Sequence, residues 1–350
     1  MSIPMKKMSD LTDLTGLDED KHSFDLETLE SYWDIVPLGG SSTVLDERPQ
    51  LQLTKTPTGA LGIEFTVRDD LVSEVKSSEG FSVETETLTD GVAVIRLTTS
   101  GIETELFVSF TLDLANLLSR LADDPACAEE HRTHALFTRI AAWQKFMKST
   151  VRTLDGEKEL GLFGELTVLR AWLDAGGSPQ HLSAVWTGPG RDAHDFTFGR
   201  THGLEVKTSL NHAPFVAKIS SLGQLDTKTL PNLHVCAVYA EENDEGQTLG
   251  ELVKAVEASL PTSVMREEFR SKVITCGVTT ELLERTSRRL FVQRLLCARA
   301  DELPRITPQS APGVLSARYE IHLADDAGEP LASADWKPAE DFFAELPELH

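Results

Sequence analysis

Apolar and polar residues alternate in short runs through most of the first hundred residues of the chain. Side chains two apart on a strand point to the same face, so this alternation predicts strands that bury one face. Clusters of Gly, Pro, Asp and Ser separate the runs, which is typical of an antiparallel β unit. The predicted strands are residues 51–54, 61–67, 81–85, 92–97 and 105–110.

Two later segments change to helical spacing. Apolar residues recur three and four positions apart over residues 112–121 and 129–147, which predicts two amphipathic helices. A shorter helix is predicted over residues 24–33, with Asp25 as its N-cap. Residues 1–25 are polar and charged without periodicity, so we expect a flexible tail there.

Beyond residue 150, predicted helices and strands alternate along the chain. A helix over residues 157–175 ends at a Gly-Gly pair, and a continuous apolar run at residues 233–239 is typical of a buried central strand. This order predicts a mixed sheet flanked by helices, so we predict an α+β protein. Further strands are predicted at residues 215–219, 288–299 and 313–323, and further helices at 220–225, 249–260 and 264–269.

The length of 350 residues is enough for two hydrophobic cores, and we place the main boundary after the β-rich part. The predicted segments are a flexible tail at residues 1–25, a β-rich N-terminal domain at 26–124, a helical connector at 125–152, a second domain at 153–325 and a C-terminal tail at 326–350.

The densest group of chemically active residues lies in the second predicted domain. Residues 195–198 and 204–208 each alternate, and the glycine-bounded turn between them predicts a β-hairpin. Antiparallel pairing would bring Asp195 close to Glu205 and Lys207, which lie two apart and share one strand face. Two carboxylates suit a hard cation such as Mg²⁺, with Mn²⁺ as a substitute. A lysine beside such an ion could orient a water for phosphodiester hydrolysis.

An acid, a turn and Glu-x-Lys on the next strand resemble the motif of the PD-(D/E)xK nuclease superfamily. Asp195, Glu205 and Lys207 occupy the three positions, and His194 stands where the name of the motif has proline. The resemblance implies a restriction-endonuclease-like core, in which a mixed β-sheet is flanked by helices, within residues 153–325.

Three neighbouring segments strengthen this resemblance. They are G-L-F-G-E-L, which contains Glu165, W-T-G-P before the acid, and S-S-L-G-Q-L, which contains Gln224. Together with the hairpin they look like one bacterial subfamily that is associated with restriction or anti-phage gene clusters. The resemblance covers roughly residues 155–240.

The resemblance implies a Mg²⁺-dependent deoxyribonuclease, with endonuclease and exonuclease action both open, that cuts DNA as a subunit of a defence system. Lys207 would orient the attacking water, and Gln224 would hold substrate or the lysine, although an ordinary residue at a helix start fits Gln224 equally well. Glu165 would complete or support the site, although a surface acid on its helix is nearly as good an interpretation. The implied metal ligands are Asp195, Glu205, the Val206 carbonyl and Glu165.

Net charge argues against a protein that coats nucleic acid by itself. The formal charge is −23, and phosphate binding depends on Lys and Arg. Residues 141–230 hold ten Lys and Arg against nine Asp and Glu, so the excess acid lies outside the candidate site. Either a basic partner subunit delivers the DNA, or the chain alone contacts only a little of the DNA. We favour the partner subunit.

Partner proteins from a defence operon, an ATPase or a DNA-recognition subunit, are implied by the resemblance, and an oligomer is compatible with it. The chain has no G-x-x-x-x-G-K-[ST] phosphate loop, so any ATP-driven step belongs to a partner. A second hypothesis is a catalytically inactive nuclease fold that serves as an assembly or DNA-sensing subunit. RNA or another phosphodiester also stays open as the substrate.

Other residues near the hairpin fit the chemistry less well. Asp192 competes with Asp195 as the acid but lies in the predicted loop. His194, His202 and His212 cluster by sequence, yet their spacing matches no metal site, so polar loop histidines are the favoured interpretation.

The remaining composition is that of an intracellular protein. Four cysteines lie far apart without a C-x-x-C pair, which predicts reduced thiols in or near cores rather than zinc ligands or disulfides. An apolar run of about 18 residues is lacking, and the first residues have no apolar signal core. We therefore expect no membrane span and a cytoplasmic location.

Overall fold

The computed structural model describes residues 24–73, 75–78, 80–100, 104–148, 154–188, 194–210, 214–228, 230–325 and 327–346. The chain divides into two compact units, Met1–Leu136 and Phe137–His350. Most of the predicted flexible tail, residues 1–23, lies outside the described residues.

The first unit is an antiparallel sheet with helices. The strand order is β1-β2-β3-β5-β4, and every pair is antiparallel. The predicted cap is confirmed, since Asp25 accepts a hydrogen bond from the amide of Thr28 at 2.7 Å. Its elements are α1 (Leu26–Ile35), β1 (Ser41–Leu45), β2 (Gln50–Lys55), β3 (Leu61–Arg68), β4 (Phe81–Thr87), β5 (Val92–Thr99), α2 (Thr104–Ala122) and the first part of α3 (Glu129–Lys148).

Alternation along the central strands produces the core of this unit, as the sequence predicts. Buried residues recur at every second position along the middle of β2, β3 and β5, and they include Leu51, Leu53, Ile63, Phe65 and Ile95. Burying one face of each strand against helices stabilises the unit by about 25 cal/mol for each Å² of apolar surface removed from water.

One predicted strand of this unit is wrong. Residues 105–110 alternate over six positions, but they form the first turns of α2, which begins at Thr104. Phe107, Phe110 and Leu114 are buried at helical spacing and continue the stripe of the helix that follows. A short alternating run is overridden when the apolar stripe beyond it has period 3.6.

The second unit contains a mixed five-stranded sheet of order β12-β10-β9-β7-β6. The strands β7 and β9 are parallel, and the other pairs are antiparallel. A two-stranded sheet of β8 and β11 lies beside it. The elements are α4 (Gly156–Asp174), α5 (Leu182–Val185), β6 (Phe196–Phe198), β7 (His202–Ser209), β8 (Val216–Ile219), β9 (Asn232–Gln247), α6 (Leu249–Ser259), α7 (Ser263–Thr275), α8 (Thr280–Glu284), β10 (Leu290–Arg299), β11 (Tyr319–His322), β12 (Lys337–Pro338) and α9 (Ala339–Ala344).

Two apolar clusters cover the two faces of the mixed sheet. On one face, Val206 and Val238 pack with apolar residues of α4 and α6. On the other face, Ala237 and Tyr239 pack with the small sheet, through residues such as Phe215 and Ile321. The central position of β9 and its burial on both faces confirm the predicted buried strand. The protein is thus α+β, as predicted, with an architecture that agrees with a restriction-endonuclease-like core.

Three predictions for the second unit need correction. Residues 220–225 form turns and no helix, because Gln224 bonds back to Ser220 instead of continuing a helical ladder. The predicted strand at residues 313–323 is shorter, since β11 begins at Tyr319. Residues assigned to the C-terminal tail form β12 and α9, and Phe342 is buried in the core there.

All four cysteines are free, and three of them are buried, which agrees with the predicted reduced thiols. Among the described residues, the helices are all too short or too polar to cross a membrane.

Candidate active site

The predicted hairpin is confirmed. Strands β6 and β7 pair antiparallel with Phe196 opposite Leu204 and Phe198 opposite His202. Gly199 adopts φ of 64° in the turn, a conformation that glycine reaches at no steric cost. Extending the register by one residue places Asp195 opposite Glu205, so the two acids meet at the end of β6.

The main chain of β7 holds Asp195 in place. Its Oδ2 atom accepts a hydrogen bond from the amide nitrogen of Val206 at 2.7 Å. That nitrogen is bonded directly to the carbonyl carbon of Glu205, so the two acids are immediate neighbours. From the other side, the amide of Thr187 donates to the carbonyl of Asp195 at 3.0 Å. The alternative acid, Asp192, lies outside the described residues.

Glu205 is the centre of the polar contacts. Its side chain is buried, with 1% of its surface exposed, and its Oε1 atom accepts a hydrogen bond from Lys207 Nζ at 2.8 Å. The same Oε1 accepts from Nε2 of Gln224, whose own Oε1 accepts from the amide of Ser220 at 2.7 Å. Residues 220–225, which form a turn where a helix is predicted, therefore place Gln224 in contact with Glu205.

The second oxygen of Glu205 has no such contacts. Oε2 is buried without a hydrogen-bond partner among the described residues, and it faces Nδ1 of His194 at 3.9 Å. That nitrogen is also buried and has no hydrogen-bond partner in the same part of the chain. A buried polar atom without a partner is costly, so each one requires an explanation such as a bound ion.

Glu165 reaches the site from helix α4. Its Oε2 atom accepts a hydrogen bond from the indole nitrogen of Trp186 at 2.8 Å. The preceding Gly164 lets the helix approach β7, because a Cβ atom there would lie 1.8 Å from Oγ1 of Thr208. The packing of α4 on β7 thus places a third acid near the hairpin.

The acids hold their protons more tightly than free carboxylates do. Burial raises the pKa of Glu205 to about 8, with the charge of Asp195 adding to the effect and Lys207 opposing it. Burial, followed by the charge of Asp195, raises the pKa of Glu165 to about 8. Burial also raises the pKa of Asp195, against the hydrogen bond from Val206. Crowded buried carboxylates favour either protons or a cation.

The residues present fit a divalent cation. The unpaired Oε2 of Glu205 and the adjacent Asp195 offer carboxylate oxygens. The amide of Val206 points to Asp195, and since the N–H and C=O of one strand residue point the same way, its carbonyl is turned to that edge as well. Within the described ranges, no three His, Cys, Asp or Glu side chains close on one point as a ready-made cage. Mg²⁺ is usually held by one or two carboxylates and keeps several waters, so a pair of acids is sufficient.

The other predicted candidates lie elsewhere or have structural contacts. His202 bonds to Oγ1 of Thr201 at 3.0 Å and lines a separate cavity of about 210 Å³ with His234, while His212 lies outside the described residues. The contact of Trp186 with Glu165 was not predicted, although the indole lies in the W-T-G-P segment that the sequence singles out. The buried position of His194 was not predicted either, and its sequence spacing gave no signal for it.

The family model described as "Putative PD-(D/E)XK family member (DUF4420)" matches residues 61–324, which include the whole hairpin and parts of both units. No curated protein matches the chain, and no solved structure matches it.

Proposed function

The chain belongs to this PD-(D/E)XK family, and from that premise we propose that it is a divalent-metal-dependent nuclease that hydrolyses phosphodiester bonds of DNA. The observation that best supports the proposal is the unpaired Oε2 of Glu205. A carboxylate oxygen buried without a donor, beside a second acid and a lysine, has the chemistry of a cation ligand.

Asp195, Glu205 and the Val206 carbonyl would hold the ion, which we propose to be Mg²⁺ or Mn²⁺ in its place. A divalent cation at this position supplies charge that neutralises phosphate oxygens and lowers the pKa of water. Lys207 is already fixed by its 2.8 Å bond to Glu205, and it orients the attacking water.

Two residues support this arrangement without needing to touch the substrate. Gln224 bonds to Glu205 and Ser220 together, so it fixes the rotamer of the acid. Glu165 is fixed by Trp186, and once a cation displaces its proton it adds negative charge beside Asp195.

We further propose that the chain acts as a subunit of a restriction or anti-phage system, with partner proteins that bind DNA or hydrolyse ATP. The formal charge of −23 supports a partner, because a chain so acidic attracts DNA poorly. The segment 141–230, which carries the hairpin, is close to neutral and would repel DNA delivered by a basic subunit less than the rest of the chain does.

The test is cleavage by the protein purified with the products of neighbouring genes. Asp195→Ala and Lys207→Ala should each lower the cleavage rate by about 10²-fold or more, as expected for loss of a metal ligand or of a group that orients water. Lys218→Ala is the matched control, because this lysine is exposed and pairs with Glu157 on the surface. Cleavage by the Asp195 and Lys207 variants at the rate of the control would refute the proposal.

An inactive assembly or DNA-sensing subunit is the second candidate, and the acidic surface favours it. Such a subunit need not bind a metal. Calorimetric titration of the wild-type protein with Mg²⁺ and with Mn²⁺ separates the two functions, because a nuclease of the proposed kind binds at least one of the two ions.

A further inference from the structure

Two unpaired buried atoms face each other in the candidate site. Nδ1 of His194 and Oε2 of Glu205 lie 3.9 Å apart, and neither has a hydrogen-bond partner among the described residues. The two side chains are 7% and 2% exposed. A hydrogen bond between nitrogen and oxygen spans about 2.7–3.2 Å, so the two groups are too far apart to satisfy each other.

The separation suits an ion between them. Metal bonds to imidazole nitrogen and carboxylate oxygen are each about 2.0–2.2 Å long, so two such bonds can span distances up to about 4.4 Å. The observed 3.9 Å falls within that reach, and since two neighbouring ligands at right angles lie about 3.0 Å apart, the two groups would approach by roughly 1 Å when an ion binds. The main chain fixes the histidine at this place, since Oγ1 of Thr187 donates to its carbonyl oxygen at 2.5 Å.

We propose that His194 is a nitrogen ligand of the metal site and that the site prefers a first-row transition ion such as Mn²⁺ or Co²⁺ to Mg²⁺. The inference rests on the proposed function, because it concerns the same ion that Asp195 and Glu205 would hold. Among the described residues these three side chains do not close on one point without the ion, so binding would draw the imidazole and the two carboxylates together. Mg²⁺ takes oxygen ligands, whereas imidazole suits transition metals, so one histidine in the set shifts the preference.

A different role for His194 is to hold Glu205 by a direct hydrogen bond after a small side-chain rotation. In that case the ring nitrogen never meets the ion. The two roles differ in whether a histidine nitrogen is magnetically coupled to a bound paramagnetic ion, which spectroscopy detects independently of any cleavage.

The experiment adds Mn²⁺ alone to the full-length chain and records electron spin echo envelope modulation. We expect modulation from a histidine nitrogen in the wild type and its replacement by a ¹⁵N pattern when the histidines are ¹⁵N-labelled. His194→Gln should abolish the modulation. His202→Gln, the control on the same hairpin but outside the site, should keep it.

Calorimetry supplies the second measurement. His194→Gln should weaken Mn²⁺ binding by about tenfold or more, in line with the effect of losing support for a metal site, and should change Mg²⁺ binding by less than about threefold. The His202→Gln control should bind both ions as the wild type does.

The outcomes separate the two proposals. If Mn²⁺ binds to the wild type without any histidine modulation, the role of His194 is refuted while the metal site of Asp195 and Glu205 stands. If neither Mn²⁺ nor Mg²⁺ binds to the wild type, the proposed metal-dependent function itself fails. Both results come from the wild-type protein, so they do not depend on whether a variant folds.

Discussion

Replacing Glu205 with glutamine should stabilise the metal-free protein, and more so as the pH rises. The acid has a pKa of about 8 in the folded chain against an ordinary value of 4.5. Because the folded pKa lies above the unfolded one, the protonated acid favours folding fully below pH 4.5. That contribution is lost as the pH rises through about 8. Glutamine keeps the shape and the accepting oxygen without this loss.

The magnitude follows from the size of the shift. One pKa unit corresponds to about 1.4 kcal/mol, so a shift from 4.5 to about 8 sets an upper limit of about 5 kcal/mol. Between pH 5 and pH 7.5 the stability of Glu205→Gln relative to wild type should rise by about 3 kcal/mol. The amide retains the bonds from Lys207 and Gln224, and its new N–H group faces the unpaired Nδ1 of His194.

The assay is urea unfolding at several pH values in the presence of a chelator, followed by tryptophan fluorescence. The matched control is Glu157→Gln, which makes the same change at a carboxylate that is 75% exposed and should shift stability by less than about 0.5 kcal/mol. Metal reduces the difference in stability between the two proteins. At 100 times its dissociation constant, a bound ion stabilises the wild type by about 2.7 kcal/mol and leaves Glu205→Gln unchanged.

A stability difference between Glu205→Gln and wild type that stays constant from pH 5 to pH 7.5 would refute this reasoning. It would mean that Glu205 is ionised in the folded protein without metal. The burial and the crowding with Asp195 would then be offset by contacts that the structure does not show.

Three further predictions concern the same unit. Gly164→Ala should lower the free energy of unfolding by about 2–3 kcal/mol, because the new methyl group would clash with Oγ1 of Thr208. Urea unfolding measures this loss, and the additional substitution Thr208→Ala should recover part of it. Arg139→Met should cost about 3 kcal/mol in the same assay, because it removes the 2.8 Å partner of Glu267 from a fully buried ion pair. The apparent Mn²⁺ affinity of the wild type should rise from pH 6 to pH 8, because the ion competes with protons on the carboxylates whose pKa is raised. The rise should be up to about tenfold per pH unit for each proton displaced. Calorimetry in two buffers of different ionisation enthalpy counts those protons.

The residue pattern of the hairpin segment is by itself sufficient to predict the hairpin. Alternation on either side of a glycine-bounded turn predicts two strands, and the period of two places Glu205 and Lys207 on one face. The structure brings these two side chains into contact at 2.8 Å, with Asp195 bonded to the amide between them. These contacts need no information from beyond about fifteen residues.

The remaining contacts of the site join segments that are distant in sequence. Gln224 contacts Glu205 from a turn whose sequence is also typical of a helix start. The segment forms a turn rather than a helix because the Gln224 side chain accepts a hydrogen bond from Ser220. Glu165 meets Trp186 only because α4 packs on the sheet. Residues 105–110 show the same limit for secondary structure, since their six-residue alternation is overridden by the apolar stripe of the helix that they begin.

Burial explains why a cation, rather than the protein alone, would complete the proposed site. Burial excludes water and raises the pKa of Glu205, Asp195 and Glu165, and the charge of Asp195 raises the pKa of Glu205 and Glu165 further. Lys207 supplies a single positive charge, and it already bonds to one oxygen of Glu205. Substrate phosphates would add negative charge to a chain whose formal charge is −23. A divalent ion would lower two repulsions at once, the one among the acids and the one between the acids and the phosphates. Metal binding and DNA binding should therefore reinforce each other.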